Sequence, residues 1–196
     1  ASGALPGATQ PIIASTREGK MRDTLHMDKL FAPALDPATV PEQRGSTYPE
    51  PFRSRMGDRA KRRLGDALGL TRFGVNLVTL PPGGQSALRH WHTLEDEFVW
   101  MLEGEVVLVT DAGEQVLRAG MCAGYPAGRR DAHHVVNRSA SPARYLEVGN
   151  RIEGDNAHYP DDDLMWCEGE DGVYAALKGR MGGQLHALAL VTRAPG

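Results

Sequence analysis

The stretch GQSALRHWHTLEDEFVWMLEG, Gly84 to Gly104, decides how this chain is read. It holds two histidines one residue apart, then an acidic cluster, then an apolar run closed by glycine. In an extended chain, alternate side chains share a face. His90 and His92 therefore point together with Leu88, and Trp91 points away. Two imidazoles directed at a core demand partners, because buried polar groups without them are costly. Hydrogen bonds meet that demand, and so does a metal ion. TLED reads as a turn, with a hairpin folded at 93–96 that returns Glu97 to His92. Glu97 then opens a strand with Val99 and Met101 on its face. Two imidazoles and a carboxylate form a ligand set suited to Fe, Mn, Ni, Cu or Zn. His133, on one strand face with Asn137, is the best fourth ligand, and the adjacent His134 is its rival.

On either side of this stretch the chain is built from short Val-, Leu-, Phe- and Tyr-rich runs. FGVNLVTL (73–80), ALRHWH (87–92), EFVWMLEG (97–104) and EVVLVT (105–110) read as strands. So do EQVLRAG (114–120), HHVVN (133–137), ARYLEVG (143–149) and, late in the chain, QLHALALVTR (184–193). PPGG, TDAGE, YPAGRRD and RSASP supply the turns between them. Many strands at short spacing imply an antiparallel sandwich or barrel.

The length of 196 residues suits one domain with arms. Residues 1–20 read as a flexible arm or a remnant ahead of Met21, and 21–70 as a proline-rich arm packing on the barrel. The barrel itself is placed at 71–150, with a C-terminal extension over 151–196. Within these flanks, 60–70 fits a short helix or a hairpin, and GDNAHYPDDDLMW reads as turn-rich. With 22 basic and 25 acidic residues the net charge is -3, which argues against nucleic-acid or membrane partners. Cys122 and Cys167 form neither a disulfide framework nor a thiolate metal site, and a reduced cytoplasm is expected. The arm and the sheet edges suggest a homodimer.

Two motifs carry a family resemblance. Gly84, His90, His92, Glu97 and Gly104 fit the first cupin motif at every fixed position. Gly120, Pro126, Gly128, His133 and Asn137 fit the second, with one departure: four residues instead of two separate Gly128 from His133. The chain thus resembles a single-domain bacterial cupin. The resemblance implies an all-β fold, a double-stranded β-helix or jelly-roll barrel with an N-terminal extended arm. It also implies one divalent metal (Fe, Mn, Ni, Cu or Zn) held by His90, His92, Glu97 and His133, and a structural role for Asn137.

Plainer readings cover most other residues. Glu95 and Asp96 read as turn carboxylates, with Asp96 available to orient a ligand histidine. Asp161–Asp163 reads as a turn, His26, His158 and His186 as surface or arm residues, and Cys122 as a small buried hydrophobe. Arg129, Tyr125 and Tyr145 are the substrate-binding candidates, Arg129 for an anionic group; Arg130 shares its loop. No sequence motif names a catalytic acid or base. The expected function is a metal-dependent enzyme acting on a small organic molecule: a dioxygenase with Fe(II), or an isomerase or lyase with a Lewis-acid metal. The alternative is a non-enzymatic small-ligand-binding or regulatory cupin.

Overall fold

The computed structural model describes residues 33–167, with the backbone of two further strands at 173–177 and 187–192. The readings of residues 1–20, His26 and His186 lie outside the described residues. Among the described residues, fourteen strands follow in order. They are β1 (Glu42–Arg44), β2 (Ala60–Arg63), β3 (Phe73–Leu80), β4 (Trp91–His92), β5 (Glu97–Glu103), β6 (Glu105–Thr110) and β7 (Gly113–Arg118). Then come β8 (Cys122–Tyr125), β9 (His134–Val136), β10 (Ala143–Asn150), β11 (Asn156–Tyr159), β12 (Leu164–Cys167), β13 (Val173–Leu177) and β14 (Ala187–Thr192). One helical turn, α1 (Leu64–Ala67), follows β2 directly, so 60–70 is a strand and then a turn of helix.

Every described pairing is antiparallel. One wall is the six-stranded sheet β1-β2-β3-β10-β5-β8. The opposite wall combines β14-β13-β12-β11-β4 with β7-β6-β9. These two sheets are joined by a bridge between His90 and His133, at the ends of β4 and β9. The result is a double-stranded β-helix, and its seam runs through two of the candidate ligands.

Strand period explains the wall that carries Glu97. On β5, Val99 and Met101 are buried while Phe98, Trp100 and Leu102 are exposed. The inward set joins Val78, Leu80, Val106, Leu108, Val135 and Tyr145 in one core. Each such side chain contributes about 1.5–3 kcal/mol by leaving water. Gly104 turns the chain from β5 into β6 at φ 71°, and a Cβ there would meet the Pro142 carbonyl at 2.9 Å. A second cluster, including Met56, Leu88, Tyr159 and Leu164, packs the segment before β2 against β11 and β12.

Three expectations are corrected. Residues 93–96 do not fold a hairpin: β4 pairs with β11, whereas β5 pairs with β10 and β8. The TLED turn instead carries the chain from one wall to the other. Only Trp91 and His92 of 87–92 are strand, since this segment meets its neighbours at a corner. Residues 156–167, read as turn-rich, form the hairpin β11–β12, so the segment after 150 completes the second wall. Asp161–Asp163 lies in its turn, with Asp161 and Asp162 paired to Arg89 and Arg55. Among the described residues, no helix is long and apolar enough to cross a membrane.

Candidate metal centre

Four side chains from the two walls meet at one carboxylate oxygen. Glu97 Oε2 lies 2.8 Å from His133 Nε2, 3.6 Å from His90 Nε2 and 3.8 Å from His92 Nε2. His90, His92 and Glu97 each offer a ligand atom within 4.8 Å of the others. His133 enters through its hydrogen bond to the same carboxylate. His134, next along the chain, faces elsewhere and pairs its Nδ1 with the Ala87 carbonyl at 3.1 Å.

The backbone sets these positions. His90 and His133 exchange both main-chain hydrogen bonds, at 3.1 and 2.8 Å, which fixes their rings 5.0 Å apart. The outer nitrogens of His90 and His92 are committed. His90 Nδ1 donates to the Leu88 carbonyl at 2.8 Å, and His92 Nδ1 donates to Asp155 Oδ2 at 2.5 Å. A proton on each Nδ1 leaves each Nε2 with a free lone pair aimed at Glu97. That is the tautomer a metal requires. The donor chemistry therefore fits a divalent transition metal.

Burial and charge give these groups their ionisation. Burial lowers the pKa of His90 to about 4, so the ring is neutral near pH 7. For His92 burial acts downward, but Glu97, Asp155 and Glu95 outweigh it and the pKa is raised. For Glu97 burial acts upward, but the His133 hydrogen bond and the three imidazoles hold the carboxyl well below its usual range.

Asp155 is the residue that sequence reasoning missed. It is 3% exposed, and its Oδ1 accepts from Leu94 N at 2.7 Å, Thr93 Oγ1 at 3.1 Å and Glu95 N at 3.2 Å. It holds both the wall-to-wall turn and the His92 ring. Asp96, expected in that role, instead accepts from Ala127 N at 2.7 Å. Glu95 is more than a turn carboxylate. It is half-buried beside Glu97, and burial and the Glu97 charge raise its pKa to about 7.

The centre opens into a cavity of about 340 Å³, lined among others by Trp91, His92, Glu95, Glu97, Arg129 and His133. Tyr125 lines it too, stacked on His133 with ring centroids 3.5 Å apart. Tyr145 is fully buried in the core and borders a smaller inner cavity of about 180 Å³. Cys122 is exposed and lines the outer cavity, contrary to its reading as buried, because β8 is an edge strand. His158 is not a plain surface residue: it stacks on Trp91 at 4.3 Å, and Arg130 lies over Trp91 at 5.6 Å. Asn137 is structural, its amide donating at 2.8 Å to the carbonyls of Leu80 and Ser141.

The fold and this centre agree with what the chain is similar to. A cupin domain family model matches residues 76–149. No curated protein matches the chain. Among solved structures, a cupin-superfamily sugar phosphate isomerase from Silicibacter pomeroyi shares 45% identity and a TM-score of 0.70. That match covers 73% of this chain and 90% of the other. A protein from Acidithiobacillus ferrooxidans, provisionally described as a sugar phosphate isomerase, shares 27% identity over 68% of this chain and 76% of its own, with a TM-score of 0.55. A polyketide cyclase from Streptomyces resistomycificus, at 22% identity and a TM-score of 0.51 over 61% of this chain and 80% of its own, shares the fold. With its paired motifs, its rolled double sheet and this extent of likeness, the chain belongs to the cupin superfamily.

Proposed function

We propose that the protein is a metal-dependent isomerase acting on a small phosphorylated sugar. The observation that carries this reading is the convergence of the His90, His92 and His133 imidazoles on the Glu97 carboxylate at the wall of an open cavity. Likeness to the Silicibacter pomeroyi sugar phosphate isomerase favours isomerisation over the dioxygenase alternative.

His90, His92, His133 and Glu97 would hold the metal. A divalent metal bound there supplies Lewis-acid polarisation of a substrate carbonyl. The protein's own groups do the rest. Asp155 keeps the proton of His92 on Nδ1 and so keeps Nε2 available. Tyr125 packs flat on His133 and holds its ring in place. Glu95 lines the cavity without belonging to the proposed ligand set, so its carboxylate is placed to carry a proton from one sugar carbon to the next. Isomerisation of that kind moves a proton from the carbon beside the carbonyl to the former carbonyl carbon, while the hydroxyl proton on that neighbouring carbon passes to the former carbonyl oxygen.

The test is incubation of metal-replete protein with pentose and hexose phosphates in D2O. Aldose–ketose conversion, with deuterium appearing beside the carbonyl, is the expected result by NMR. Replacing His92 with Ala should abolish both conversion and metal retention. Metal-replete protein that neither converts nor exchanges any of these substrates would overturn the proposal.

A further inference from the structure

Resting on the sugar phosphate reading, we infer that Arg129 is the residue that anchors the substrate's phosphoryl group. Most positive charges among the described residues already have partners. Lys61 is paired with Glu147 at 2.7 Å. Arg89 is held by Asp161 and Asp111, Arg138 by Glu114, Arg144 by Glu103, and Arg151 by Asp66. Arg130, adjacent to Arg129, lies over the Trp91 ring. Among the described residues, only Arg72 and Arg129 have a guanidinium with no carboxylate, carbonyl or aromatic partner. Of these two, only Arg129 lines the metal cavity.

The loop that carries Arg129 is tied to the centre. Gly128, at φ 72°, donates its N–H to the His92 carbonyl at 2.9 Å. Arg129 N donates to the Pro126 carbonyl at 3.3 Å, closing a turn. The backbone of Arg129 is thus fixed relative to a ligand strand, while its side chain stays exposed at the cavity mouth. Asp131, which lines the cavity from the same loop, forms no ion pair with Arg129, and its Oδ1 accepts from Asp111 N at 2.9 Å.

The chemistry selects the ligand. A planar guanidinium presents paired N–H donors that match a phosphate dianion and stays charged at all working pH. Glu95 and Glu97 line the same cavity, and their carboxylates repel the same dianion. A sugar phosphate is therefore oriented with its phosphoryl group at Arg129 and its carbonyl end at the metal centre. Four residues lie between Gly128 and His133, two more than in the usual cupin motif, and Arg129 stands in that longer stretch.

Calorimetric titration of Mn-loaded protein with ribose 5-phosphate, glucose 6-phosphate and the two unphosphorylated sugars tests this. Wild-type protein should bind at least one sugar phosphate more tightly than its parent sugar. Arg129→Ala should weaken that binding about 10- to 100-fold with metal content unchanged. Arg129→Lys should recover part of it, and Arg130→Ala should have little effect. Wild-type binding that Arg129→Ala leaves intact, or that Arg130→Ala weakens equally, would overturn the anchor and leave the isomerase reading standing. Wild-type protein that binds neither sugar phosphate would overturn both.

Discussion

Oδ2 of Asp155 lies 2.5 Å from Nδ1 of His92, across a separation of 63 residues. The contact ties a strand of the second wall to a residue set just beyond the region that carries both cupin motifs. It also fixes which nitrogen of His92 faces the centre.

Replacing Asp155 with Asn tests that role. The amide oxygen can still accept from Leu94 and Glu95 N–H, so the turn keeps its support. The amide nitrogen would then face His92 Nδ1 and draw the ring proton to Nε2, blocking ligation. Metal affinity should fall about 10- to 100-fold, as it does when such supporting partners are removed. Competition with a chromophoric chelator measures the loss, and an unchanged circular dichroism spectrum shows that the fold survives.

The two adjacent histidines should separate cleanly. His133→Ala removes the nitrogen at 2.8 Å from Glu97, and retained metal per chain should drop at least tenfold by elemental analysis. His134→Ala removes only the bond to the Ala87 carbonyl. It should retain full metal and lose about 0.5–1.5 kcal/mol of stability. Equal metal loss in both variants would mean that His133 has no special place.

Much of this was legible in the sequence, for a physical reason. Strand period alone places Val99, Met101, His90 and His92 inward, and the glycines mark where the chain must turn. The corner at 93–96 was not legible, because a turn that closes a hairpin and a turn that crosses between walls use the same residue types. What distinguishes them is the partner of β4, which is β11 and lies beyond residue 150. Asp155 was hidden for the same reason: nothing local in GDNAHY signals that a carboxylate will be buried against a histidine so far away. Cys122 misled because a small apolar residue in a short edge strand carries no sign of its exposure.

The ion pair between Lys61 and Glu147 predicts an acid limit to stability. Burial acts to raise the Glu147 pKa, but the Lys61 ammonium at 2.7 Å outweighs it and the folded value is lowered. A depressed folded pKa means that the stabilisation is complete above the unfolded value of about 4.3 and is lost as pH falls through the folded value. Urea unfolding of metal-free protein should therefore show stability declining below about pH 4. Lys61→Met leaves Glu147 without its main cation, so burial raises its folded pKa and this part of the acid decline should shrink or reverse. Its cost near pH 7 should lie below the ~3–5 kcal/mol of a fully buried broken pair, since both side chains are 22% exposed. An unchanged pH dependence in the variant would show that the pair does not act this way.

Gly149 gives a way to move Glu95 without touching it. The Glu95 carboxylate lies over the Gly149 Cα, in space that a Cβ at 149 would fill. The obstructing atoms belong to the free end of a flexible side chain, so Gly149→Ala should displace Glu95 and spare the sheet. Alanine also loses less chain entropy than glycine in a strand, so stability should stay within about 1 kcal/mol of wild type. Gly149 pairs with Glu97 across β10 and β5, yet Glu97 faces the imidazoles and should keep its place. Metal content should therefore be unchanged, while kcat for sugar phosphate isomerisation falls about tenfold or more if Glu95 carries the proton. Glu95→Gln should lower kcat by a similar factor, and combining the two substitutions should cost little more than either alone. Additive losses in the double variant would place the effect of Gly149 elsewhere in the sheet, and a Glu95→Gln variant with unchanged kcat would release Glu95 from the role.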